Sequence, residues 1–328
     1  MSPAQAAMVA PSFVEEVVPV YRAKCRNIPC DQRLARWRPQ PRGLGAFRQW
    51  ALALLPRVRR EQNLIGGQKL VHWEMGPETG ETVVLLHGFG ASKENWLFLA
   101  PKLAQHYRVL IPDVPGFGES DFRAKRCYAA DNQVTRLAAW LVAASPHPVH
   151  LVGSSMGGAL AGLLTARHPE MVTSLTLMNA AGVSGGQRSD FEKALLEGRN
   201  LLVPRRYGDV SELLLLATER RRQWLSRCLT PFIGPDMVRR HWVNHRLFND
   251  LLNSETQPHE VLSRIRRPTF ILWGDRDRIL DVSCVHTLHG LIGHAQSTVF
   301  SGVGHLPMLE VPTRTAETLT AFWRQQTH

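Results

Sequence analysis

Residues 149–162 read Val-His-Leu-Val-Gly-Ser-Ser-Met-Gly-Gly-Ala-Leu-Ala-Gly, and they leave a chain little freedom. Val149–Val152 is mostly apolar and half β-branched, the pattern of a short buried strand. From Met156 onward, Ala159, Leu160, Leu163 and Leu164 recur at helical spacing up to Arg167. Between the two segments, Gly153-Ser154-Ser155-Met156-Gly157 matches G-x-S-x-G. That is a strand-to-helix turn so sharp that its central residue takes a strained backbone and its neighbours must be small. Only Ser155 has glycine two positions away on both sides; Ser154 has Val152 and Met156 there. The five-residue pattern recurs by chance in many chains. A strand before it and a helix after it make Ser155 the candidate nucleophile, with the helix N-terminus aimed at the reacting atom.

Further short apolar runs fall at Val83–Leu86, Val109–Ile111, Leu175–Met178, Thr269–Trp273 and Ser297–Phe300. Helical patterns near Trp96–His106, Asp131–Ser145, Met156–His168, Val282–Ile292 and Thr313–Trp323 separate most of them. Leu64-Ile65, Gly66-Gly67 and Lys69–Trp73 read as a hairpin. Strand alternating with helix predicts an α/β fold with a mainly parallel, doubly wound sheet, its site in the loops at the strands' carboxyl ends. The rhythm breaks after Met178, where roughly ninety residues are helical in character. The chain is therefore read as a basic arm over 1–62, an α/β body over 63–181 and 264–328, and an inserted helical cap over 182–263. Most large apolar residues of the cap must pack the cap itself; a minority could line a substrate tunnel.

A serine hydroxyl needs a base to take its proton, and the base needs a carboxylate to fix its tautomer. In this architecture the order is serine, acid, histidine. His305 follows the last strand in Gly302-Val303-Gly304-His305, where a loop can swing it over the sheet. His286, His289 and His294 lie on or beside a surface helix and need no role beyond solvation. The acid belongs in Gly274-Asp275-Arg276-Asp277-Arg278-Ile279-Leu280-Asp281. Three aspartates qualify by position. Asp277 stands far enough past the strand to reach inward, Asp275 is the second choice and Asp281 the third, and those unused can cap a helix or pair with arginine. Negative charge on a tetrahedral intermediate needs preset donors, each worth about 3–4 kcal/mol. The Met156 N–H is one, and the Phe89 N–H in His87-Gly88-Phe89-Gly90 is the other. His87 reads as a brace for that loop, and Asp113 as a hydrogen-bond acceptor for the sharp turn Asp113–Ser120. No metal or organic cofactor is required.

The 328 residues carry a net charge of +11, unevenly placed: residues 1–60 hold +8 and the rest +3. In Gly43–Arg60, Leu44, Phe47, Ala51, Leu54 and Val58 share a face rimmed by arginines. Such a helix can lie in an anionic membrane interface through residues 43–60, or pack on the protein's own body. No run reaches the ~18 apolar residues of a spanning helix, and no secretory signal is visible. Five scattered cysteines favour reduced thiols and a cytoplasmic setting, with peripheral membrane association open. Without a nucleic-acid-binding motif, the basic arm does not point to nucleic acid.

The serine elbow, the HGFG loop, the DVPGFGES turn, the GDRD loop and the GVGH loop stand in one order across about residues 64–326. In that combination the chain resembles the α/β-hydrolase fold enzymes. Within them it is similar to monoacylglycerol-lipase-type serine hydrolases, the α/β-hydrolase-domain-containing member six group and its bacterial lipase relatives. The residues behind the finer likeness are His87-Gly88-Phe89, Gly153–Gly158 and Trp273–Ser283. The resemblance implies an eight-stranded sheet, a Ser155–Asp277–His305 triad, and cleavage of single-chain lipid esters such as monoacylglycerols. Where relatives in the mammalian group carry a membrane-spanning helix, this chain has the shorter Gly43–Arg60 segment. Soluble short-chain esterases and thioesterases, carbon–carbon bond hydrolases and a ligand-binding module on the same fold are the alternatives. The serine elbow disfavours aspartate-nucleophile relatives, and carbon–carbon hydrolases typically read glycine-proline-glycine where Gly88-Phe89-Gly90 stands.

Overall fold

The computed structural model describes residues 13–24, 34, 58–219 and 223–326. Its centre is one eight-stranded sheet in the order β1-β2-β4-β3-β5-β6-β7-β8. The strands are β1 (Arg59–Ile65), β2 (Gln68–Met75), β3 (Thr82–Leu86), β4 (Arg108–Pro112), β5 (Val149–Ser154), β6 (Val172–Met178), β7 (Thr269–Gly274) and β8 (Gln296–Phe300). Only β2 runs against its neighbours β1 and β4; the other pairs are parallel. The β1–β2 hairpin closes Ile65 onto Gln68 through two residues, and both central positions require positive φ, which Gly66 (52°) and Gly67 (76°) supply.

Strand periodicity sorts side chains onto two faces. Along β3, Val84 and Leu86 join one core and Val83 and Leu85 the other. The first core is shared with α2 (Ala130–Ala144), α3 (Met156–Arg167) and α8 (Cys284–Leu291). The second is closed by α9 (Pro312–Arg324), whose Leu319, Phe322 and Trp323 are buried. Each such side chain contributes about 1.5–3 kcal/mol by burial.

Between β6 and β7 come α4 (Asp190–Leu196), α5 (Tyr207–Ala217), α6 (Gln223–Arg239) and α7 (His241–Leu252), with no strand among the described residues. The first of these starts on a full capping box: Ser189 Oγ accepts from the Glu192 N–H, and Glu192 accepts from the Ser189 N–H. Near the N-terminus, α1 (Phe13–Lys24) lies against α4 and α7. Val17, Val18 and Tyr21 are buried, Asn200 donates to the Tyr21 hydroxyl, and Lys24 donates to the Leu196 carbonyl.

Three expectations need correction. The helix expected over Trp96–His106 is two separate turns, Lys93–Trp96 and Ala100–Leu103. Pro101 has no N–H and would crowd the carbonyl four residues back, so the two cannot merge. The sheet begins at Arg59 rather than near Leu64. Arg59 and Arg60 therefore belong to an edge strand, Arg59 paired to Glu74 and Arg60 to Glu119, and not to the end of an amphipathic helix. The rest of that segment, residues 43–57, lies outside the described residues.

Candidate active site

The turn after β5 follows from what its neighbours forbid. Ser155 sits at φ 53° and ψ −121°, a left-handed conformation that costs a non-glycine residue of order 1–3 kcal/mol. The backbone holds it there. Its N–H donates to the carbonyls of Met178 and Asn179, and its own carbonyl accepts from Gly158, Ala159 and Ala181. A Cβ at Gly157 would collide with the Leu86 carbonyl oxygen, and one at Gly158 would meet the Ala180 Cβ at 2.5 Å. Gly88 packs against Ser155 itself, where a Cβ would lie 3.1 Å from the serine Cβ.

The candidate acid and base come together from separate loops. Asp277 Oδ2 lies 2.7 Å from His305 Nδ1, and both residues are buried. A carboxylate only accepts, so Nδ1 carries the proton and Nε2 is left with its lone pair. Asp277 is held by three further donors. Asn179 Nδ2 reaches Oδ2 at 2.6 Å, and the N–H groups of Ile279 and Leu280 reach Oδ1 at 2.8 and 3.0 Å. The His305 N–H donates to the Ala217 carbonyl at 2.8 Å, tying the loop to the end of α5. Asp275 instead accepts from the Gly302 N–H at 2.7 Å. Asp281 accepts from the N–H and hydroxyl of Ser283, just before α8.

The loop after β3 is braced by His87. The Val114 N–H donates to its Nε2 at 3.0 Å, which puts the ring proton on Nδ1, 2.8 Å from the Gly88 carbonyl. Burial holds its pKa below the ordinary histidine value, so it stays neutral. The Phe89 ring stands edge-on between Phe117 and Phe248, with centroids at 5.3 and 5.6 Å. Met156 is the first residue of α3, so its N–H has no acceptor within the helix.

Several supports were not read from the sequence. Glu310 Oε1 accepts from the Gly304 N–H at 3.0 Å and its Oε2 from the Glu219 N–H, tying the histidine loop to the segment after α5. Its signal was a lone carboxylate five residues past His305. Asn179, at φ 43°, leaves β6 beside the elbow and turns its amide to Asp277. Lys93 is wholly buried among carboxylates, 2.8 Å from Asp113, 2.7 Å from Glu119 and 3.3 Å from Glu94. Asp113 also accepts the N–H groups of Lys93 and Glu119, each at 2.7 Å, as a sharp turn there requires.

Two cavities meet at Ser155. The first, of 170 Å³, is lined by Ser155, His305, Leu213, Leu214, Met237 and the rim residue Phe98 among others. The second, of 160 Å³, runs past Met156 along Ala159, Leu160, Val183, Phe191 and Leu251. Phe89, Ser155, Leu202 and Ile279 belong to both. Among the described residues, no cluster of three histidines, cysteines or carboxylates could hold a metal.

The sequence profile of the alpha/beta hydrolase fold matches residues 81–312. The chain belongs to that family. It is 30% identical over 264 residues to Lipase 1 of Psychrobacter immobilis, covering 79% of this chain and 82% of that protein. It is 31% identical over 285 residues to Monoacylglycerol lipase abhd6-B of Xenopus laevis, covering 83% and 84%. A crystal structure described as a membrane phospholipase A, a bacterial virulence factor, superimposes with a TM-score of 0.82 at 34% identity over 87% of this chain and 91% of that one.

Proposed function

We propose that this α/β hydrolase cleaves carboxylic esters of single-chain lipids, monoacylglycerols foremost, through an acyl-enzyme on Ser155. The observation that carries the reading is the Asp277–His305 pair, whose imidazole lines the cavity that holds the strained Ser155. His305 Nε2 takes the Ser155 proton as Oγ adds to the ester carbonyl, and Asp277 stabilises the imidazolium. The N–H groups of Phe89 and Met156 carry the oxyanion. Collapse gives the proton from Nε2 to the departing alcohol; water, deprotonated by the same nitrogen, then releases the acid and restores Ser155.

The two cavities suit an ester with an arm on each side of its carbonyl. The acyl chain takes the second, along Ala159 and Leu160. The alcohol takes the first, where the Thr218 and Ser226 hydroxyls, bonded to each other and to the Leu214 carbonyl, keep lone pairs as acceptors. Residues 182–263 act as the cap that shapes both, and the setting we infer is an anionic lipid surface. Lipase-named relatives at about 30% identity support this substrate class. The experiment is a rate series over monoacylglycerols of increasing acyl length, with acetate and butyrate esters and thioesters alongside and Ser155→Ala as control. Rates should rise with chain length, each buried methylene contributing up to about 0.8 kcal/mol. A maximum at acetate or butyrate would contradict the lipid reading.

A further inference from the structure

The helix over the first cavity has two faces. Ser226, Ile233 and Met237 of α6 line the cavity. Trp224, Arg227, Pro231 and Phe232 follow the same i, i+3, i+7, i+8 rhythm on another side of the helix. There Trp224 is 61% and Phe232 47% exposed. Tyr207, which opens α5, is 51% exposed, and its ring lies beside Gly234 of α6, where a Cβ would meet Cε1 at 3.1 Å. Phe98, 40% exposed, adds a fourth ring at the cavity rim. Single exposed apolar residues are ordinary, but three large rings exposed on one helical corner mark a surface that meets something.

The charge says what that is. Residues 205–240 hold eight arginines against four carboxylates, a net +4, whereas all of residues 61–328 sum to +3. Of these arginines, Arg205 and Arg227 are exposed, and Arg220, Arg221 and Arg222 come just ahead of Trp224 in sequence. Arginine mixed with tryptophan, tyrosine and phenylalanine suits the headgroup layer of an anionic leaflet. The two prolines inside α6 set the depth. Pro231 and Pro235 leave the carbonyls of Arg227 and Pro231 without their helical donors, and those oxygens need water or headgroup partners that hydrocarbon lacks.

We propose that the α5–α6 corner is the surface by which the protein docks on an anionic lipid leaflet, with the first cavity opening toward it. This goes beyond the ester reading, and binding is measured without turnover, so the two can fail separately. Full-length Ser155→Ala protein is sedimented with phosphatidylcholine vesicles, with and without phosphatidylglycerol. Binding to the anionic vesicles should weaken with salt and fall about tenfold or more in Trp224→Ala/Phe232→Ala and in Arg227→Glu, each made in that background. The same surface changes in otherwise wild-type protein should leave hydrolysis of a soluble short ester within about twofold, which checks the fold. Undiminished binding by the double variant overturns the proposal. So does loss of binding on changing Arg42, Arg48 and Arg57 to glutamine while the double variant still binds, which would assign docking to the basic arm. A dimer that the double variant disperses, with no vesicle binding by the parent protein, also overturns it and makes the corner a contact between copies.

Discussion

The sheet's carboxyl edge and the helices between β6 and β7 are held by different physics. At the sheet edge, short polar side chains each satisfy several backbone groups. Asp277 takes four hydrogen bonds, Glu310 spans two loops, and His87 joins β3's loop to β4's. The insertion instead leans on Leu213, Leu214, Val243, Leu247 and Phe248, and on α6, a helix with two prolines. Bonded loops fix atoms to tenths of an ångström, as proton transfer needs. Apolar packing tolerates changes of side chain as long as volume is kept. A fold can then hold its chemistry constant in one region while the other varies what it accepts.

Substitutions at the sheet edge should therefore be severe and those in the insertion selective. The largest effect is expected from Asp277→Asn, which keeps the shape but turns the His305 tautomer: kcat should fall about 10⁴-fold with the thermal midpoint little changed. A loss under about tenfold would show that the acid lies elsewhere. Next, Lys93→Met removes the buried ammonium that Asp113, Glu94 and Glu119 share. Urea denaturation should show a loss of about 3–5 kcal/mol.

Acid should weaken the body through two sheet histidines. Burial pulls His72 and His150 down to about 4 from an ordinary value near 6.5. The unfolded chain therefore binds more protons between those limits, so stability is full above about pH 6.5 and falls as pH drops toward 4, by up to about 3 kcal/mol per histidine. His150→Phe, which keeps a ring against Trp323, should lose less stability between pH 7 and pH 5 than the wild type in urea titrations.

The smallest change should be the most selective. Ala159→Phe fills the second cavity and leaves Ser155, Asp277 and His305 unsubstituted, and excluding about three methylenes should cost long-chain esters roughly 2 kcal/mol, near thirtyfold in kcat/KM, while butyrate is unaffected. Equal losses on all chain lengths would erase the distinction between the two regions.

The same contrast explains what could be read from the chain. Strands buried on both faces are short apolar runs, and for that reason β3, β4, β5 and β7 were found within a residue or two and β6 within three. The candidates Ser155, Asp277 and His305 could be picked out because each sits in a glycine-bearing loop after a strand, where spacing is rigid. Asn179 and Glu310 could not. Their partners are backbone groups from distant segments, and no local pattern encodes such a bond. Lys93 is a third case, because its three carboxylates come from both its own turn and the Asp113–Ser120 turn. The break at Pro101 is local: one proline interrupts the apolar spacing of Trp96–His106. Tyr21 was invisible for another reason: its ring meets Phe248 at 5.9 Å across 227 positions of sequence.

The central claim is that the strained serine after β5 attacks the substrate. Its most direct measurement is covalent labelling of the native protein by a fluorophosphonate, with the adduct located by peptide mass spectrometry. The modified residue should be Ser155, and labelling should vanish in Ser155→Ala. An adduct on another residue, or undiminished labelling of the alanine variant, would contradict it.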